Sequence, residues 1–235
     1  MKILLINPNT TESMTRKAEI AAQKVARPDT QIIATNSKMG PSSIEGFYDV
    51  ACCLPGLLKE ASRFSAIDAV IVACFDDTGL DALRCQLTVP VIGIGEAAYH
   101  AAAMVAYKFS VVTTLSRSIA GISDNLNRYG LSAKCVSVRA TDIPVLKLEE
   151  KDPETLHILR SEVTAAIEMD HAEAIVLGCA GMADLMSDLS KEFGIPVIDG
   201  IACAVGFAEA LVSAGISTSK LRTYAYSPDK CVDLS

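Results

Sequence analysis

Two cysteines stand where acid/base chemistry could be done. Cys74 closes the apolar run "AIDAVIVACFDDTG" and Cys179 closes "HAEAIVLGCAGMAD". Each falls between a predicted strand and a predicted helix start. There, free backbone N–H groups and the helix dipole favour negative charge and should lower a thiol pKa. Asp76 and Asp77 beside Cys74 act the other way, because a nearby carboxylate disfavours thiolate. Two thiols facing each other across a cleft suit the inversion of a carbon acid. A thiolate on one face removes a proton, a thiol on the other delivers one, and preorganised N–H donors hold the enolate oxygen. No metal or organic cofactor is required by that chemistry. Neither a Ser/His/Asp constellation nor a clustered Cys/His zinc pattern is readable, with three histidines in the chain and no CxxC pair.

Other candidates have plainer readings. The remaining six cysteines (52, 53, 85, 135, 203 and 231) read as small packing residues. Asp77, Thr78 and Asp81 read as caps of the helix that follows them. Gly93-Ile94-Gly95 lacks a full dinucleotide fingerprint and reads as a tight turn, and His100 as a packing residue.

The elements that must position Cys74 and Cys179 alternate strand with helix. Short Val/Ile-rich runs occur at Ile3–Ile6, Gln31–Thr35, Ala69–Ala73, Pro90–Ile94, Phe109–Thr113, Cys135–Val138, Ala174–Leu177 and Pro196–Ile198. Helical patterns cover Thr11–Arg27, Ser116–Tyr129 and Pro153–Met169 between them. Such alternation predicts parallel sheets covered by helices. An internal repeat sharpens this. Cys74 and Cys179 lie 105 residues apart, Pro90 and Pro196 lie 106 apart, and Lys2 and Lys108 lie 106 apart. The repeat predicts two α/β lobes related by a pseudo-twofold axis. Ligands of open α/β sheets bind beyond the carboxyl ends of the strands. That selects the loops 7–11, 74–79, 113–117 and 179–184.

The 235 residues are half hydrophobic, 21% charged and carry a net charge of −7. That balance excludes a disordered chain and argues against nucleic-acid and polybasic membrane partners. No segment reads as a signal peptide or a membrane span, so a cytoplasmic location is expected. The apolar content suggests a homo-oligomer.

The motifs "INPNTT" (Ile6 to Thr11), "GPSSIEGFYD" (Gly40 to Asp49), "ACFDDTGLDA" (Ala73 to Ala82), "VVTTL" (Val111 to Leu115) and "GCAGMADL" (Gly178 to Leu185) occur in that order over almost the whole chain. Together they resemble the hydantoin racemase branch of the aspartate/glutamate racemase superfamily. The resemblance implies flavodoxin-like lobes with mostly parallel sheets and an interlobe active site. The whole of 1–235 is then one domain. Its first lobe spans about 1–100 plus a C-terminal helix at 203–235, and its second about 101–202. It implies a cofactor-independent racemase acting at C5 of a monosubstituted hydantoin, with Cys74 and Cys179 as the acid/base pair. Asn7, Asn9, Ser43, Ile44, Phe75, Thr113, Thr114, Ala180 and Gly181 are implied around the substrate. Members acting on acidic amino acids carry Asn-Thr and Thr-His after the two cysteines. Here Phe75-Asp76 and Ala180-Gly181 stand there, and Arg117 is the one cation near the motif loops. This favours a neutral ring over a free carboxylate. Allantoin, itself a 5-substituted hydantoin, is the alternative substrate, and a single-cysteine decarboxylase or a non-catalytic two-lobed binder are further ones.

Overall fold

The computed structural model describes residues 1–147 and 152–227. The first half runs β1 (Lys2–Asn7), α1 (Glu12–Val25), β2 (Gln31–Asn36), α2 (Phe47–Ala61), β3 (Ala69–Val72), α3 (Leu80–Gln86), β4 (Val91–Gly93) and α4 (Ile94–Val105). The second runs β5 (Phe109–Thr113), α5 (Ile119–Arg128), β6 (Cys135–Ala140), α6 (Pro153–Glu168), β7 (Ala174–Leu177), α7 (Met186–Phe193), β8 (Val197–Ile198) and α8 (Gly200–Ser213).

The strands form two four-stranded sheets in the orders β2-β1-β3-β4 and β6-β5-β7-β8. Every pairing is parallel. The second order is the first displaced by four strands, as the repeat predicts. Strand interiors are apolar because helices cover both faces of each sheet. Ile3 to Ile6 and Val70 to Val72 are wholly inaccessible, and each such side chain contributes roughly 1.5–3 kcal/mol on burial.

The two lobes share one core. Phe109 of β5 lies 6.4 Å from Tyr99 of α4, ring to ring, and Phe75 meets Tyr99 edge-on at 5.2 Å. Helices α4 and α8 occupy equivalent places in the repeat and pack on each other, their starts meeting closely. A Cβ on Gly200 would lie 2.3 Å from the Ile94 carbonyl oxygen. Glycine at the start of α8 is therefore a requirement of the axis itself.

Several expectations need correction. The helix expected over 203–235 is Gly200–Ser213; the chain then returns to the first lobe, where the Thr218 N–H donates to Thr88 O at 2.8 Å. Residues 228–235, including Cys231, lie outside the described residues. The helix from Ser116 opens as a 3-10 turn, Ser116–Ser118, before α5. The helix expected over Thr11–Arg27 is Glu12–Val25; the Thr11 hydroxyl donates to Ser42 O at 2.6 Å and ties that loop to the segment 40–46.

Asp77 departs most from expectation. It does not cap α3, whose N-cap is Gly79. Its carboxylate instead accepts from the Gly95 and Glu96 N–H groups at 2.9 and 2.7 Å, so it caps α4, and from the Tyr129 hydroxyl at 2.8 Å. The Gly93-Ile94-Gly95 run is correspondingly no tight turn. Gly93 ends β4, α4 begins at once, and both glycines leave room for the Asp77 loop.

Candidate functional site

The carboxyl ends of β1, β3, β5 and β7 converge on a small cavity lined by Cys74 and Cys179. Its open volume is about 40 Å³, small beside the roughly 300–1,000 Å³ of most ligand clefts. It adjoins a larger cavity of about 270 Å³ with which it shares Asp76 and Ser118. The larger one is lined by Phe47 and Val50 and by the charged and amide groups of Arg117, Asp124, Asn125 and Arg128.

Cys74 stands two residues beyond β3, and its sulfur lies 3.6 Å from the Thr78 hydroxyl. Helix α3 begins only at Leu80, after an N-cap at Gly79, rather than directly at this thiol. Burial is the larger influence and pushes the Cys74 pKa well above its ordinary value, with Asp76 adding to the rise. Cys179 caps the short 3-10 turn Ala180–Leu185. The Gly181 N–H favours its thiolate, yet burial prevails and pushes the pKa to about 11. The expected lowering of both thiols is thus reversed, for the same reason in each lobe: desolvation outweighs the N–H donors.

Of the other implied site residues, Asn9, Ile44, Phe75, Thr113, Thr114 and Ala180 line the cavity with the two thiols. Asn7, Ser43 and Gly181 do not. Asn7 is buried behind Asn9; its amide nitrogen donates to Asn9 Oδ1 at 2.8 Å and to Thr15 Oγ1 at 3.1 Å, fixing the first loop. Ser43 donates to Glu45 Oε1 at 3.3 Å, which also accepts the Val145 N–H at 3.2 Å. This Glu45 bridge ties the segment carrying Ile44 to the second lobe beside the cavity. Gly181 lines a neighbouring recess with Lys17 and Asp184.

The close fit of the β5 and β7 loops depends on Gly178. Thr113 Oγ1 donates to its carbonyl at 3.0 Å, and a Cβ there would lie 2.8 Å from the Thr113 Cβ. Met14, Ser118 and Val145 also line the cavity. No local signal marks them, because only the tertiary fold brings them near. Asp76 lines it too, although the sequence offers it only as a charge beside Cys74. A separate, larger and mainly apolar cleft lies between α4, α8 and residues 216–224. It contains neither thiol. His100 lies there, its Nδ1 2.8 Å from Glu96 O.

Burial pushes the carboxyl of Asp76 up to about 6 and that of Asp77 to about 7. Both remain protonated in the folded chain at pH values where the unfolded chain has lost those protons. The stability they contribute is full below about pH 4 and is lost as pH rises through 6 and 7. The urea midpoint should therefore carry a falling component between pH 4 and 7, smaller in Asp76→Asn. Identical pH slopes in wild type and variant across that window would refute the assignment to Asp76.

Among the described residues there is no group of three or more His, Cys, Asp or Glu able to hold a metal ion, and no helix long and apolar enough to cross a membrane. The profile of the Asp/Glu/Hydantoin racemase family matches residues 3–208. A hydantoin racemase of Pseudomonas sp. (strain NS671) is 47% identical over 98% of this chain and 93% of its own length. One from Rhizobium meliloti is 48% identical over 96% of this chain and 95% of its own. The solved allantoin racemase from Klebsiella pneumoniae superimposes with a TM-score of 0.96 at 41% identity, covering 99% of this chain and 96% of that one.

Proposed function

The chain belongs to the Asp/Glu/hydantoin racemase family, and we propose that it inverts C5 of 5-monosubstituted hydantoins by passing protons between Cys74 and Cys179. The observation that carries this reading is that the two thiols, from equivalent strand ends of the two lobes, line one cavity. One cysteine, as thiolate, takes the C5 proton. The electron pair passes into the adjacent ring carbonyl as an enolate, and the opposite thiol returns a proton to the other face. The product is the mirror image, and the two cysteines have exchanged protonation states. Donors such as the Gly181 N–H beside Cys179 and the Thr114 hydroxyl support the anionic stages. On this reading no cofactor takes part.

The small cavity holds the reacting carbon, and the C5 substituent extends past Asp76 and Ser118 into the adjoining cavity. The polar lining of that second space favours allantoin as an alternative substrate, since its ureido arm would meet Arg117, Asn125 and Arg128. Two solved structures similar to this one, at 40–41% identity, are allantoin racemases. The exposed apolar side chains of Met104, Val105, Tyr107 and Ile216 support self-association of a cytoplasmic protein.

The test supplies single enantiomers of allantoin, benzylhydantoin, isopropylhydantoin and aspartate, each in heavy water. Inversion of a ring substrate should proceed with about one deuterium entering C5 per inversion, while aspartate stays unchanged. Binding of the rings with neither exchange nor inversion would make the protein a binder and overturn the proposal.

A further inference from the structure

Asp76 has a function that the thiol chemistry leaves unassigned. It lines both the cavity of the two cysteines and the adjoining one. Its backbone carbonyl is anchored by the Asn125 amide at 2.9 Å, which fixes the residue at the junction. Asp76 is half-buried, no N–H or O–H among the described residues donates to its carboxyl, and burial raises its pKa. It shares the walls of the smaller cavity with both Cys74 and Cys179.

A half-buried carboxylate without a protein donor is incompletely solvated, and a neighbouring thiol that must ionise adds to its cost. What relieves the cost is a donor brought by a ligand. A cyclic ureide presents two N–H groups on the ring that carries its acidic carbon.

We propose that the Asp76 carboxylate accepts a ring N–H of the substrate, making Asp76 a specificity-determining residue. This rests on the cyclic-ureide reading above. The pairing fixes the ring in its own plane, which leaves the two faces of C5 open to the two thiols. It also explains how a site with few cations discriminates: the selecting charge is negative, and it selects for donors.

The experiment compares 5-benzylhydantoin with its N1-methyl and N3-methyl derivatives in wild type, Asp76→Asn and Asp76→Ala. A hydrogen bond to a charged acceptor is worth about tenfold or more in kcat/KM. In wild type one of the two methylations should therefore lower kcat/KM by at least about tenfold. In the variants kcat/KM for the unmethylated ring should fall by a similar factor, chiefly through KM, and the penalty for that methylation should shrink to within about threefold. Circular dichroism and melting temperature confirm that the variants are folded. Should both variants fail to fold, the wild-type series still decides: a penalty below about twofold at both nitrogens overturns the proposal. An unchanged methylation penalty in folded variants overturns it too, while leaving the racemase reading intact. Absence of turnover by wild type of both 5-benzylhydantoin and allantoin overturns the cyclic-ureide reading itself, and this inference with it.

Discussion

Cys74→Ser and Cys179→Ser should each abolish inversion while each retains half of the proton chemistry. A serine hydroxyl is far too weak an acid or base near neutral pH to replace a thiol, and general acid/base groups contribute about 10²–10⁴-fold to rate. Loss of either should therefore cost racemisation about two to four orders of magnitude, since both faces must be served in every turnover. The remaining thiol still reaches one face of C5. With pure enantiomers in heavy water, each variant should exchange the C5 hydrogen of one enantiomer and not of the other, with opposite preference in the two variants. NMR at C5 measures this directly. Exchange of the same enantiomer by both variants, or racemisation near the wild-type rate in either, would point to a single base and end the two-face mechanism. Because burial raises both thiol pKa values, the reactive thiolate is a minor species of the free protein, and alkylation of these sulfurs should be slow near neutral pH and faster as pH rises.

The frame around the cysteines was legible because it rests on local patterning. Parallel strands buried on both faces must be short apolar runs, and a duplicated lobe must repeat them at a constant offset. Lys2 and Lys108 mark the starts of β1 and β5, Cys74 and Cys179 follow the ends of β3 and β7, and the two sheet orders match accordingly. What lay beyond reach was set by contacts distant in sequence. Val145 and Ser118 join the cavity wall only because the second lobe folds against the segment 40–46. Asn7 and Ser43 carry motif positions yet work through Asn9 and Glu45. Both thiols are pushed up rather than down because their burial depends on the packed fold and not on the spacing of strand end and helix start.

Asp77 illustrates the same limit and leads to the largest expected effect on stability. Its φ of 52° is left-handed, and its carboxylate spans from the loop after β3 to the first N–H groups of α4 and to Tyr129. Removing it leaves three donors without their acceptor, at about 1–3 kcal/mol each where water cannot replace it. That is a large share of a typical folding stability of about 5–15 kcal/mol. The glycines opposite it distinguish the causes. A Cβ on Gly93 would lie 1.9 Å from Asp77 Oδ1, so Gly93→Ala should cost about 3 kcal/mol or more and displace the loop that carries Cys74. A Cβ on Gly95 would lie 2.4 Å from the Phe75 carbonyl oxygen, a backbone atom. In an Asp77→Gly background, which suits the left-handed φ and removes the carboxylate, the additional cost of Gly93→Ala should largely vanish. That of Gly95→Ala should persist, because the Phe75 backbone remains in place. Urea midpoints for the two double-mutant cycles decide it. Equal costs of Gly93→Ala with and without the Asp77 side chain would mean that the glycine serves β4 or α4 themselves, and that the carboxylate does not set the position of the Cys74 loop.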